Sequence, residues 1–298
     1  MKNLMQSRQA PGYEEAVKRI QALQALDTEE VNPLSYTSLL THGHKTSKAI
    51  LLLHGYSNSP RQYVRLAEEF YGRGYNVFVP RIPRHGLKDR VTTALKDLTE
   101  QELLSYTREV LDILQGLGEQ VTVLGCSMGG VLALWAAQQS ADISLVCAIS
   151  PALAYHVLPL ALTPLVVQAF LRMPNRFRWW DEALKDAPVP PLHAYPRFAT
   201  RGLAHITNIG LKVRALARRA EPKAGSVLVV VNPTDESVDN SHARQIVERW
   251  QALGAQNIRL YEFDPQLKLK HDLMDPDQPA QQVDVVYPIL IELVMRPQ

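Results

Sequence analysis

Short unbroken apolar runs recur along the chain, and stretches with helical spacing separate them. The runs are Ala49 to His54 (AILLLH), Asn76 to Pro80 (NVFVP), Val121 to Leu124, Leu145 to Ile149, Val227 to Val231 and Arg259 to Phe263. Runs of this length without polar alternation predict strands covered on both faces. Tyr13 to Leu26 puts Ala16, Ile20 and Leu23 on one helical face, and Pro60–Tyr71, Ser241–Leu253 and Val283–Met295 also read as helices. Thr99 to Leu114 carries a start signal, Thr99 as N-cap with Glu102 three residues on, which predicts a capping box. Strands alternating with helices predict an α/β fold with a doubly wound, mostly parallel sheet.

The alternation breaks between Pro151 and about Gly225. Eight prolines fall between Pro151 and Pro196, and no strand stands out there. The expectation is an inserted, mainly helical cap over the C-terminal edge of the sheet, where ligands bind in open α/β folds. The chain then divides into a lead-in helix and segment (1–47), a first core part (48–150), the cap (151–225) and a second core part (226–298). The 151–225 stretch carries 11 Lys and Arg against 4 Asp and Glu, a net of +7 over a body of net −5. A basic cap draws anionic substrates or an acidic lipid surface. The alternative is a solvated basic helix bearing Lys212, Arg214, Arg218 and Arg219.

The remaining composition narrows the class. The chain of 298 residues is 46% hydrophobic and 21% charged, enough for a substantial core. A net charge of +2 carries no signature of nucleic-acid binding. Two cysteines make no disulfide framework, and Met1 to Ala10 lack the apolar core of a signal peptide, so the cytosol is the expected location. No apolar run reaches the roughly 18 residues of a membrane span. The longest apolar stretch, Ala148 to Leu171, is interrupted by prolines and His156.

The chemistry centres on Gly125-Cys126-Ser127-Met128-Gly129-Gly130, a G-x-S-x-G sequence entered by a strand and left by an Ala/Leu-rich helix. A turn that tight holds the serine hydroxyl out above the sheet, at a helix N-terminus whose free N–H groups can stabilise an oxyanion. Such a serine needs a base, and the base needs a carboxylate to orient it. Both are expected after later strands, in the order serine, acid, histidine. After the strand at 226–231 comes Asn232-Pro233-Thr234-Asp235-Glu236-Ser237-Val238-Asp239, and after the strand at 258–263 comes Lys270-His271-Asp272. Asp235, nearest the strand end, is the favoured acid, Asp239 is the candidate cap of the next helix, and Glu236 is the third option. His271 is the one histidine that follows the last strand. His54 suits support of an oxyanion loop, His85 lies in an Arg-His-Gly turn, His193 and His205 belong to the cap, and His242 opens a helix. The loop His54-Gly55-Tyr56-Ser57-Asn58 offers the N–H of Tyr56 as one oxyanion donor, and the N–H of Met128 is the other. The side chain of Tyr56 has the alternative of walling the acyl pocket.

No His, Asp or Cys cluster has metal-ligand spacing. The glycines lack both the dinucleotide spacing and the Lys-Ser/Thr of a phosphate loop, so no metal and no cofactor are expected.

These pieces together resemble the α/β-hydrolase family, over roughly residue 48 to the end. The pattern is similar to its serine esterase and lipase branch, which includes monoacylglycerol-lipase-like enzymes. The matching pieces are LLLHGYSNSP (51–60), RGYNVFVPRIPRHG (73–86), GCSMGG (125–130), the Asp235 turn and His271. The resemblance implies Ser127 as nucleophile, Asp235 as orienting acid, His271 as base, the N–H groups of Tyr56 and Met128 as oxyanion hole, and a cap that shapes the acyl site. Two departures stand out: Lys270 precedes His271 where a glycine is usual, and Arg84 precedes His85-Gly86 where a glycine is common.

The expected reaction is hydrolysis of carboxylic esters, short to medium acyl or monoacylglycerol-like, through an acyl-enzyme. Apolar residues between Leu158 and Leu171 are candidates for an acyl tunnel, or for plain packing of cap on body. Trp179-Trp180 reads as a surface contact or as cap core. The rival readings are a thioesterase or acyltransferase on the same triad, and a catalytically silent binding protein, against which the presence of all three triad residues argues. Peripheral lipid contact through the basic cap is a further expectation. Oligomeric state is not readable.

Overall fold

Ala49 to Leu53 are all fully buried, and so are the matching runs at 77–78, 123–126, 146–149 and 227–231. A strand that is apolar on every position needs cover on both faces, and the chain supplies it. The computed structural model describes residues 9–155, 158–182, 185 and 190–296. The first eight residues of the polar stretch read over Met1 to Ala10 lie outside the described residues, and so does His156.

The strands are β1 (Ser38–Leu40), β2 (Thr46–Leu53), β3 (Tyr75–Val79), β4 (Gly118–Cys126), β5 (Leu145–Ile149), β6 (Phe177–Trp179), β7 (Arg197–Ala199), β8 (Val227–Val231) and β9 (Ile258–Glu262). The helices are α1 (Tyr13–Gln24), α2 (Val64–Tyr71), α3 (Glu100–Leu114), α4 (Met128–Gln139), α5 (Thr163–Arg172), α6 (Thr200–Ala217), α7 (Ser241–Leu253) and α8 (Val283–Met295). Seven strands form one sheet in the order β1-β3-β2-β4-β5-β8-β9, parallel throughout except for β1, which runs antiparallel to β3.

Strand parity divides the core in two. Ala49, Leu51, Leu53, Val121, Val123, Val146, Ala148, Val227, Val229 and Val231 face α1, α3, α4, α6 and α7. Ile50, Leu52, Leu124, Cys126, Cys147, Ile149, Leu228 and Val230 face α2 and α8. A side chain such as Leu51, fully removed from water, stabilises the fold by about 1.5–3 kcal/mol. α4 is apolar all round and buried along almost its whole length, as a helix between other helices and a sheet must be.

Chain direction reverses about β2, since β3 adds on one side of it and β4 on the other. Ligands bind at such a switch point, in the crevice outside the C-terminal strand ends. The loop after β2 and the turn after β4 both open onto it, and register places Leu53 beside Gly125.

Two local readings are corrected and one strand is added. The 151–225 stretch contains two strands, β6 and β7, paired antiparallel as Phe177–Ala199, Arg178–Phe198 and Trp179–Arg197. The edge strand β1 gave no sequence signal at three residues. The capping box at α3 is half made: Thr99 Oγ1 accepts from the Glu102 N–H at 3.1 Å, but the Glu102 carboxylate takes Arg84 at 2.8 Å instead. Within the 151–225 stretch, α6 packs on α3, α4 and α7 as part of the helical layer, while α5 lies against α6.

Candidate active site

Gly125 and Gly129 make the turn after β4 possible. A Cβ on Gly129 would lie 1.9 Å from the Leu53 carbonyl oxygen, and one on Gly125 2.2 Å from that of Gly129. Ser127 between them is forced to φ +55°, a region that non-glycine residues enter at a cost. Its N–H is held by the Ile149 carbonyl at 2.9 Å, and its own carbonyl accepts from Val131 and Ala152. Ser127 and Met128 line a cavity of about 600 Å³, together with Gly55, Tyr56 and His271. Among the described residues neither the Tyr56 nor the Met128 N–H has a protein acceptor.

His271 and Asp235 meet. The Asp235 Oδ2 lies 2.7 Å from the His271 Nδ1. Asp235 Oδ1 accepts from the backbone N–H groups of Ser237 (2.9 Å) and Val238 (3.2 Å), so the carboxylate is oriented from both sides. Burial pushes Asp235 up, but the charge and hydrogen bond of His271 outweigh it and leave the acid below its usual value. Burial pushes His271 down, and Asp235 outweighs that in turn, so the imidazole sits above the ordinary histidine value of 6.5.

The two loops that carry the pair are stitched together. Asn232 donates to the carbonyls of Leu269 (2.9 Å) and Lys270 (3.3 Å), and the Thr234 hydroxyl adds a bond to Leu269 (2.9 Å). Asp239 instead accepts from the Ser241 N–H at the start of α7, at 2.8 Å. Glu236 lies at the cavity rim, 3.9 Å from the exposed Lys270 amine.

The loop after β2 is held by neutral groups. His54 is fully buried; its Nε2 accepts from the Ile82 N–H (3.1 Å) and its Nδ1 faces the Gly55 carbonyl (3.0 Å). Burial keeps it well below the usual histidine range, and keeps His85, edge-on to it, down at about 4. Gln62 Oε1 accepts from the Gly55 N–H at 3.0 Å, and its amide donates to Asp272 at 3.1 Å, linking this loop to the segment after His271. Burial raises the Asp272 carboxyl.

Both departures at glycine positions have local explanations. Arg84 adopts φ +71°, where a glycine would be at ease, and is tied there by Glu102 through its side chain and by the Tyr195 hydroxyl at its carbonyl. Lys270 is not among the positive-φ residues, so its Cβ is accommodated.

Apolar side chains between Leu158 and Leu171 do not line the cavity. Leu165 on α5 is 70% exposed. The apolar wall is instead Tyr155, Trp179, Trp180 and Phe198, with Leu203 and Ile206 of α6. The tryptophan pair, expected as a surface contact or as cap core, lies on this wall instead, and Phe198, Leu203 and Ile206 gave no signal.

Outside the cavity wall, His193, Asp275 and Asp277 form a group, among the described residues, whose ligand atoms could face one ion. The groups are already engaged with one another. His193 Nε2 is 3.1 Å from both Asn58 Oδ1 and Asp275 Oδ2, Asp277 holds Arg61 at 2.8 Å, and the Asn58 amide lies 3.4 Å from Asp275.

A profile of the Alpha/beta hydrolase family matches residues 50–285. The chain belongs to the α/β-hydrolase family. This α/β hydrolase is 26% identical, over 217 residues, to a thermostable monoacylglycerol lipase of Bacillus sp. (strain H-257), covering 71% of the chain and 80% of that protein. Its fold is similar to that in the structure described as LipS and LipT, two metagenome-derived lipolytic enzymes, with a TM-score of 0.64 at 20% identity, covering 89% of this chain and 98% of that one. A monoacylglycerol lipase of Paleococcus ferrophilus gives a TM-score of 0.64 at 19% identity, with 87% and 97% covered. Among the described residues no helix of this hydrolase is long and apolar enough to cross a membrane.

Proposed function

We propose that this α/β hydrolase cleaves carboxylic esters through an acyl-enzyme on Ser127. His271 takes the serine proton as Oγ attacks the ester carbonyl, and Asp235 holds the imidazole and stabilises its protonated form. The N–H groups of Tyr56 and Met128 receive the developing oxyanion. The alcohol leaves with the proton from His271, and water then repeats the sequence on the acyl-enzyme.

The observation that carries this reading is His271, bonded to the buried Asp235 at 2.7 Å, lining one cavity with a serine held at φ +55°. The opposed shifts support it: an acid held below its usual value, and so ionised, orients an imidazole whose affinity for the proton it raises, as a general base needs. Similarity to a monoacylglycerol lipase supports substrates with short to medium acyl chains or a monoacylglycerol. A cavity of about 600 Å³ with a mostly apolar wall suits them. The buried cysteines Cys126 and Cys147 are both free, in keeping with a reducing compartment, and the cytosol is the proposed location.

Turnover of a p-nitrophenyl ester series, from acetyl to long acyl, by wild type and Ser127→Ala tests the reading. Hydrolysis that disappears in Ser127→Ala is the expected result. A wild type inactive on every length, or a mutant as active as wild type, overturns it.

A further inference from the structure

Tyr56 is held at both ends by the 151–225 segment. Its phenol donates to the Ala199 carbonyl of β7 at 3.0 Å. Its own carbonyl accepts from the Ser57 hydroxyl at 2.5 Å, and that hydroxyl in turn accepts from the Trp180 indole N–H at 2.7 Å. Trp180 directly follows β6, its ring lies 4.3 Å from that of Phe198 on β7, and its backbone N–H donates to Pro196. The Ser57 carbonyl accepts from the Tyr195 N–H at 2.7 Å. This two-residue turn therefore has three partners in the segment: Ala199 within β7, Trp180 directly after β6, and Tyr195 in the residues leading into β7.

The turn needs them. Ser57 sits at φ +63°, a conformation that a serine keeps only when its surroundings over-determine it. On the sheet side Gln62 holds the Gly55 N–H, and the Gly55 carbonyl, in the same peptide as the donor, meets the Asn58 N–H (3.2 Å) and His54 Nδ1 (3.0 Å), so the 151–225 segment adds its hold on the following peptide, at the Tyr56 carbonyl and Ser57. A donor that stabilises an oxyanion must already point at it before the charge develops. The peptide on either side of Tyr56 Cα sets that direction.

We propose that Trp180 is a positioning residue for the hydrolytic reaction: through Ser57 its indole N–H fixes the Tyr56 backbone, so the oxyanion hole is complete only with the β6–β7 pair seated on it. This rests on the ester-hydrolase reading above. Trp180 also walls the cavity, and a wall and a positioning group predict different kinetics. Loss of a wall weakens binding and raises KM, whereas loss of a transition-state donor lowers kcat and kcat/KM together.

The test is a double-mutant cycle on p-nitrophenyl acetate with wild type, Trp180→Phe, Ser57→Ala and the double variant. The acetyl group is too small to need the wall. Trp180→Phe keeps a ring against Phe198 but loses the N–H donor and part of the wall, which is why the readout is kcat on the smallest ester. Removing one oxyanion donor outright costs about a hundredfold or more, so loosening one is expected to lower kcat about tenfold in each single variant. KM should stay within about twofold, and the double variant should be no worse than about either single, because both break one chain of bonds. A Trp180→Phe enzyme with unchanged kcat, or two penalties that multiply, overturns the proposal. If Ser57→Ala does not fold, Ser57→Gly replaces it, since glycine accepts φ +63° and also lacks the hydroxyl.

A fluorophosphonate label, located by mass spectrometry, separates the two levels of inference. Wild type that neither turns over ester nor takes label on Ser127 overturns the hydrolase reading and this proposal with it. Wild type that does both, beside a Trp180→Phe variant that matches it, overturns this proposal alone.

Discussion

The side-chain amide of Asn232 donates to the carbonyl of Leu269 at 2.9 Å, tying the loop that carries Asp235 to the one that carries His271. Asn232 is 1% exposed, so its removal leaves buried carbonyls short of a donor. Asn232→Ala is expected to cost about 1–3 kcal/mol of stability, read as a lower urea midpoint. It should also lower kcat, because the distance between acid and base is no longer fixed at the loop ends. Wild-type kcat in the folded variant would show that the pair holds itself together.

The pH dependence follows from the opposed shifts of the pair. In the proposed mechanism His271 must be neutral to accept the serine proton, and its value is raised above 6.5. The expected kcat/KM therefore falls as pH drops, with a midpoint on the alkaline side of 6.5. Asp235→Asn should lower that midpoint along with the rate, since Asp235 is what raises His271. The stability linkage has its own signs. Protonated His271 contributes stability below its unfolded value, and this is lost as pH rises through the folded one. Ionised Asp235 contributes above its unfolded value near 3.8, and this is lost as pH falls through the lower folded one. A pH–rate midpoint below 6.5 would contradict the assignment.

Gly129→Ala tests the turn after β4. The added Cβ would meet the Leu53 carbonyl at 1.9 Å, and backbone on backbone has nowhere to yield. A loss of about 3 kcal/mol or more is expected, seen as a collapse of the thermal midpoint or as insoluble protein. A soluble variant with wild-type stability would mean that the turn is looser than its geometry.

The wall of the cavity predicts substrate range. Leu203 lies on α6 with part of its side chain on the cavity, so Leu203→Trp fills space there without entering the sheet. The optimum of the p-nitrophenyl series should move to shorter acyl chains, with KM for the longest rising about tenfold or more as apolar contact is lost. An unchanged chain-length profile would place the acyl group elsewhere.

The parts of the fold legible in the sequence are those whose signal is local. Ala49–Leu53 and Val227–Val231 read as buried strands because every residue is apolar, and Ser127, Asp235 and His271 each stand a few residues beyond such a run. The β6–β7 pair is different. Phe177–Trp179 and Arg197–Ala199 are three residues each, seventeen apart, and pair only with one another. No periodicity exists in three residues, so the wall they build was invisible, and Leu158 to Leu171 stood in for it. The Glu102 carboxylate was misassigned for a related reason: its partner Arg84 is eighteen residues away, and a local capping rule has no knowledge of it.

The neutral histidines behind the loop after β2 set an acid limit on the fold. His54 and His85 are buried uncharged, while in the unfolded chain both take up protons from about pH 6.5 downward. With its value held at about 4, His85 alone withdraws about 3 kcal/mol of stability between those two pH values. Acid therefore acts in two stages. Under the proposed mechanism mild acid protonates His271 and lowers activity in an intact molecule, and stronger acid withdraws stability through His54 and His85, behind the loop on which Tyr56 stands.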